Sequence, residues 1–312
     1  MTTVPQPRRP VMFRGARTRA GVGLSGREAL LLMIPALLPV LVLSIAPLAR
    51  GIYLGFTDSR AGLGVPTHFI GIDNFRALVH DSLFVNSFKI GLIWAGSVTA
   101  IQFVLALGLA LLLSQPLHGR WLARSLALVP WAMPSVLVAI MWKLFFQPQA
   151  GILNEALYRA HLPGSNIDWL SDFSWALPAV ILVGVWMGMP QTTVALLAGV
   201  QSISDDLHEA AATDGASAWQ RFRTITLPQL RPVIIAVTTL DLIWNFNSFG
   251  VVWVLTQGGP GHATELPMLF AYNEAFKYGQ FGYASALGDA MVVVISCFLV
   301  LWLWGRLKET SR

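Results

Sequence analysis

The sequence predicts an all-α membrane protein with six transmembrane helices. Three observations predict it. Of 312 residues, 55% are apolar and 12% charged; six separate apolar stretches are long enough to cross a bilayer; and lysine and arginine alternate in abundance between the segments joining them. A soluble domain of this length cannot bury so much apolar surface, so lipid is the solvent for much of it. Crossing about 30 Å of hydrocarbon takes roughly 20 mostly apolar residues. The stretches lie at 29–49, 88–114, 122–146, 175–200, 233–256 and 284–304.

Residues 1–27 form a basic arm rich in Pro, Gly and Arg, predicted to be disordered and to meet anionic lipid rather than nucleic acid. The first span opens after Glu28 and carries no charge from Leu30 to Ala49. Ser44-Ile45-Ala46 has a faint likeness to a signal cleavage site, but Pro47 follows directly and the apolar run is too long. Orientation follows from the basic residues. With the N-terminus inside, the cytoplasmic pieces hold Arg8, Arg9, Arg14, Arg17, Arg19, Arg27, Arg120, Arg124, Arg221, Arg223, Arg231, Arg306, Lys308 and Arg312. The external loops, at 50–87, 147–174 and 257–283, hold Arg50, Arg60, Arg76, Arg159 and Lys277. Both termini are therefore expected in the cytoplasm. The single cysteine, Cys297, has no partner for an internal disulfide.

The segment between the fourth and fifth spans, 204–232, is the most informative. Ser204 or Asp205 suits an N-cap for a helix through Glu209, Ala210 and Ala211. Gly215, after Asp214, is placed to end that helix in a left-handed conformation. A second short helix is predicted from Ala216 to Thr224, stopped by Pro228, with Trp219 and Phe222 as apolar anchors. Small residues admit close approach by another protein while two bulky ones fill pockets. This helix–turn–helix suits a docking knob better than a catalytic site.

Its spacing resembles the coupling loop of ABC importer permeases: Glu-Ala-Ala, three residues, Gly, nine residues, Ile, one residue, Leu-Pro. Glu209, Ala210, Ala211, Gly215, Ile225, Leu227 and Pro228 occupy those positions. The resemblance extends over most of the chain from residue 28: Phe69 to Phe75, Pro130 to Trp142, Gly151 to Asn154, Thr256 to Pro260, Thr264, and Tyr272 to Phe276 are similar to family stretches. Together these resemble the carbohydrate branch, closer to the smaller glycerol-phosphate and disaccharide type than to the maltose permease with its added helices and external domain.

The resemblance implies a permease subunit in the plasma (inner) membrane of a bacterium or archaeon, importing a sugar or oligosaccharide by alternating access. Glycerol phosphate or another polar solute is the alternative cargo. It implies as partners a second, different permease, a dimer of ATPase subunits that bind ATP and Mg, and an extracytoplasmic solute-binding protein. Glu209 would be the charged contact with the ATPase, Gly215 the turn, and Leu227-Pro228 the stop before span five.

This chain offers no phosphate-binding loop, because none of its four lysines follows a glycine. No cofactor, metal site or catalytic residue is expected. His208-Glu209 is followed by alanines rather than by the second histidine of a zinc-protease motif, and Gly23-Leu24-Ser25-Gly26 precedes the first span. A secondary transporter would need several intramembrane carboxylates or a broken-helix repeat, for which Asp241 alone is thin support.

A pathway can also be read from the spans. Asp241 lies about 12 Å into a fifth helix that begins near Val233. Asp241, Trp244, Asn245 and Ser248 recur at i, i+3, i+4 and i+7 and share one helical face. A carboxylate, an indole, an amide and a hydroxyl in one stripe suit sugar hydroxyls and ring faces. Gln191, after the helix-interrupting Pro190, joins them, as do Trp131 and Trp186, the tryptophans placed away from span ends.

Overall fold

The computed structural model describes residues 26–62, 64–162 and 166–310. Most of the predicted arm, residues 1–25, lies outside the described residues. The chain divides into two compact units, 1–50 and 51–312. In the first, α1 (Gly26–Val40) carries Pro35 and Pro39 and gives way to a π turn, Leu41–Ile45, two residues beyond the second proline. A proline removes an N–H and crowds the carbonyl four residues back, so a widened turn beside it is expected. The helix continues as α2 (Ala46–Gly55).

The second unit is helical wherever it is regular, with one isolated bridge between Thr57 and Phe69 among the described residues. A short α3 (Asp73–His80) leads into α4 (Ser82–Ser114), the longest helix at 33 residues. Asp81 caps α4 by accepting from the backbone N–H groups of Leu83 and Phe84 at 2.8 and 3.4 Å, so the helix starts six residues before its apolar run.

The third predicted span, 122–146, is not one helix. It is α5 (Arg120–Ala132) and α6 (Ser135–Phe145), bent by 96°. Pro134 causes the break: the residue before it, Met133, is forced into extended backbone at φ −84°, ψ 137°. After α7 (Ile152–Arg159) comes α8 (Ala176–Gln201), the fourth span, continuous through Pro190.

The fifth span also departs from expectation. Following α9 (Asp205–Thr213) and α10 (Ala218–Arg221), a π turn at Phe222–Thr226 runs without interruption into α11 (Leu227–Phe246). Pro228 therefore does not stop a helix. It lies just after the π turn Phe222–Thr226, and a widened turn beside a proline accommodates its missing N–H and its ring. The helix breaks after Phe246, where the Asn247 amide donates to the carbonyl of Ile243 at 2.8 Å, and resumes as α12 (Gly250–Leu255). Next come α13 (Pro267–Tyr272), a π turn at Asn273–Lys277, and α14 (Phe281–Thr310), which begins three residues before the predicted sixth span. Among the described residues five helices are long and apolar enough to cross a membrane, or six if the bent α5–α6 pair is one span.

The centre of this unit is the crossing of α4 and α8, with α11 laid across both. Gly184 permits it, because a Cβ there would fall 2.7 Å from the indole of Trp94. Trp94 is 1% exposed and packs with Val98, Val180 and Val183. Further along, a Cβ on Gly199 would meet Leu230 of α11 at 2.8 Å. Small residues at such crossings let backbones approach without the driving force that water would supply. On its outer side α4 exposes Leu92, Ile101, Val104 and Leu112, the face expected toward lipid.

Candidate solute pathway and coupling elbow

Because α11 crosses both α4 and α8, its polar stripe lies where three helices meet. The Asp241 carboxylate accepts 2.7 Å from the hydroxyl of Thr192 on α8, and that hydroxyl accepts 2.6 Å from the side-chain amide of Gln102 on α4. All three residues are buried: Gln102 is 2% exposed, Thr192 0% and Asp241 5%. The chain of bonds thus ties one buried residue from each helix, and a carboxylate within an apolar helix needs such partners. One turn on, the Asn245 amide donates to Thr99 at 3.0 Å, and its backbone carbonyl accepts from the Trp94 indole at 2.9 Å.

Beside these bonds lies a cavity of roughly 320 Å³. It is lined by Asp241, Trp244, Asn245 and Ser248 from the stripe, by Gln191, and by Trp131, so six of the seven residues singled out from the sequence come together. Gln102, Met133, Ser135, Met187 and Gly188 complete the lining. The helix break at Met133-Pro134 and the one after Phe246 both open onto it, placing Ser135 and Ser248 at its wall. Trp131 and Trp244 are more than half exposed, leaving two indole faces available.

Trp186 is the exception. It does not line the cavity but packs edge-on against Trp142 with ring centroids 5.8 Å apart, in an aromatic cluster with Phe146 and Trp169. Helical phase explains this: Trp186 lies five residues before Gln191, which turns it well off the cavity-facing side of α8. Gln102 and Ser135 are polar lining residues that the sequence does not single out. The signal for Gln102 was present, an amide with Thr99 inside an otherwise apolar run. One of its atoms, Oε1, is buried with no hydrogen-bond partner in the described structure.

The elbow is built from local rules. Ser204 caps α9, its hydroxyl accepting from the Asp206 N–H at 3.3 Å. Gly215, at φ +83°, ends it with a two-bond closure: its own N–H meets the Ala212 carbonyl at 3.0 Å and the Ala216 N–H meets that of Ala211 at 2.9 Å. Ser217 and Gln220 then form a reciprocal capping box that starts α10. Trp219 and Phe222 stack at 5.4 Å, and Thr226 is buried. Glu209, Ala210, Asp214 and Gly215 are exposed on the elbow's outer surface, with Ala211 partly covered. Ile225 is half-buried and Leu227 exposed where the elbow enters α11. Elbow and cavity are therefore joined by one helical rod from Ala218 to Phe246, which carries Asp241 and Trp244.

Residues 102–308 match the family described as "Binding-protein-dependent transport system inner membrane component". A probable ABC transporter permease protein of Brucella suis biovar 1 (strain 1330) is 35% identical over 272 residues, covering 87% of this chain and 94% of that one. The trehalose/maltose transport system permease protein MalF of Thermococcus litoralis is 34% identical over 274 residues, covering 88% and 91%. The sulfoquinovosyl glycerol transport system permease protein SmoG of Agrobacterium fabrum is 32% identical over 276 residues, covering 88% and 89%. Among solved structures, a bacterial ABC transporter involved in the import of the acidic polysaccharide alginate superposes with a TM-score of 0.77 at 23% identity, covering 91% of this chain and 96% of that one.

Proposed function

The chain belongs to the family of binding-protein-dependent transport system inner membrane components, a multi-pass permease of an ABC transporter, and from that membership we propose that it forms half of a pore importing an uncharged sugar or oligosaccharide. The observation that carries the proposal is the continuous helical run of α10, the π turn and α11, which starts three residues after the exposed Gly215 turn and ends at the polar cavity. In this reading a separate ATPase, itself binding ATP and Mg, grips the exposed surface from Glu209 to Gly215. A second permease completes the pore, and an extracytoplasmic binding protein delivers solute. The bacterial alginate ABC transporter in complex with alginate pentasaccharide-bound periplasmic protein superposes at a TM-score of 0.75 and 23% identity, and supports delivery by a binding protein by analogy of fold. This chain would hold no catalytic group, its role being to rock between two positions that its ligands bind unequally.

The sugar class draws on two supports. Relatives above 30% identity carry names for trehalose/maltose and sulfoquinovosyl glycerol transport. The cavity supplies hydroxyl, amide, carboxylate and indole groups but no Lys, Arg or His, which suits a neutral polyol better than a phosphate ester. Uptake of labelled disaccharide, with glycerol phosphate as competitor, tests it. Uptake that is ATP-dependent, and blocked by unlabelled disaccharide but not by glycerol phosphate, supports the reading; the reverse competition overturns it.

A further inference from the structure

A cavity of about 930 Å³ lies behind the elbow rather than at the solute stripe. It opens where both central helices end: Ser114 closes α4 and Gln201 closes α8, and both line it. Two apolar helices stop together at the boundary between hydrocarbon and water, so this cavity sits at the level of lipid headgroups. Leu111 and Val200 form its apolar wall on the membrane side. Two guanidinium groups also line it, Arg120 from the first residue of α5 and Arg221 from the last residue of α10, together with His208.

Neither arginine forms a salt bridge among the described residues, although the Asp205 carboxylate lines the same cavity. Arg221 Nε is buried with no acceptor. A buried donor on a permanent cation calls for an anionic acceptor, and the guanidinium fork matches phosphate oxygens geometrically. Trp219, 67% exposed at the rim, supplies the amphipathic indole typical of headgroup depth. The cavity is also distinct from the elbow's outer surface: Asp205 and His208 of α9 face it, whereas Glu209, Ala210, Ala211, Asp214 and Gly215 do not line it. An anion bound here would brace the elbow from behind while leaving its outer face free.

We propose that this cavity binds the phosphate of an anionic phospholipid from the leaflet on the elbow side, held by Arg120 and Arg221 with the acyl chain against Leu111 and Val200. The distribution of basic residues puts this side in the cytoplasm, where anionic headgroups gather at basic recesses between helices.

The test is native mass spectrometry of the full-length chain in detergent, titrated with dioctanoyl phosphatidylglycerol, dioctanoyl phosphatidylcholine or inorganic phosphate. The wild type is expected to hold phosphatidylglycerol at least tenfold more tightly than phosphatidylcholine. Arg120→Gln with Arg221→Gln should abolish that preference, Arg221→Lys should leave an intermediate one, and Arg76→Gln, on α3 before the opposite end of α4, should leave it unchanged. Equal phosphatidylglycerol affinity in wild type and double variant overturns the site. Displacement of the lipid by equimolar inorganic phosphate overturns the lipid assignment. The Arg221→Lys arm guards against misreading a misfolded double variant, since its graded loss depends on the guanidinium and not on the net charge.

Discussion

Asp241 on α11 is held by Thr192 on α8 through a 2.7 Å hydrogen bond, and Thr192 is held in turn by Gln102 on α4. Any rotation of α11 against the other two helices must break or re-form this bond. The relay therefore sits where the lever, as proposed, meets the solute cavity, and its members can be altered separately.

Thr192→Val removes the shared hydroxyl and strands both a buried carboxylate and a buried amide. Leaving such groups unsatisfied costs on the order of 1–3 kcal/mol each. Thermal unfolding of the purified protein should show a clear fall for Thr192→Val, whereas Asp241→Asn, which keeps an acceptor for the hydroxyl, should stay near wild type. Equal midpoints for Thr192→Val and wild type would show that the relay contributes nothing.

The crossing of α4 and α8 makes a sharper packing prediction. Gly184→Ala puts a methyl 2.7 Å from the Trp94 ring, while Gly96→Ala on α4 meets nothing within 4 Å. Overpacking of this kind costs about 1–3 kcal/mol. Gly184→Ala is expected to lower the unfolding midpoint and Gly96→Ala to leave it unmoved; identical behaviour of the pair would contradict the described contact.

Outside the spans, two carboxylates have opposite pH signatures. Burial raises Glu274 above its ordinary range, and the nearby Asp81 and Glu265 raise it further. Its contribution to stability is full below the unfolded value and is lost as pH rises through the folded one. Asp58 is lowered, first by the His68 backbone N–H at 2.6 Å and then by the His68 ring, so its contribution is lost as pH falls through its folded value. Glu274→Gln should thus gain on the wild type as pH rises through the carboxylate range and converge with it in acid. Asp58→Asn should fall behind above that range and converge below it. Urea unfolding across pH reads both, and a pH-independent offset in either would remove the assignment.

At the elbow, Gly215 adopts φ +83°. A Cβ there has open space but the wrong backbone, costing about 1–2 kcal/mol. Gly215→Val is expected to lower solute-stimulated ATP hydrolysis by the assembled transporter several-fold while leaving the membrane level of the chain near normal. Undiminished hydrolysis would argue that the elbow's closure has no part in coupling.

How much of this was legible follows from which rules are local. The elbow could be read almost residue by residue, because an N-cap serine, a left-handed glycine and a proline act within one turn of themselves. Two points differ: the second helix starts at Ala218 and not Ala216, and it runs on past Pro228 through a π turn that periodicity does not reveal. The stripe from Asp241 to Ser248 was legible because its spacing is helical, even though the helix breaks after Phe246 and brings Ser248 to the cavity from a non-helical turn. Trp186 falls outside the cavity by its helical phase, which the sequence shows, and packs on Trp142 of α6, which the sequence does not show. Gln102 was missed for a similar reason, since its meaning depends on Thr192 across a helix interface. The bend at Met133-Pro134 had its signal in the sequence, but hydropathy alone runs straight through it.

The most direct test of the central claim is site-specific cross-linking at the elbow in the assembled transporter. With Cys297 replaced by serine, Ala212→Cys would carry a short thiol cross-linker on the elbow's exposed surface. The account predicts one dominant adduct, between this chain and a separate nucleotide-hydrolysing subunit, whose yield changes when ATP is bound. Capture of no such subunit, with sugar uptake intact, would contradict it.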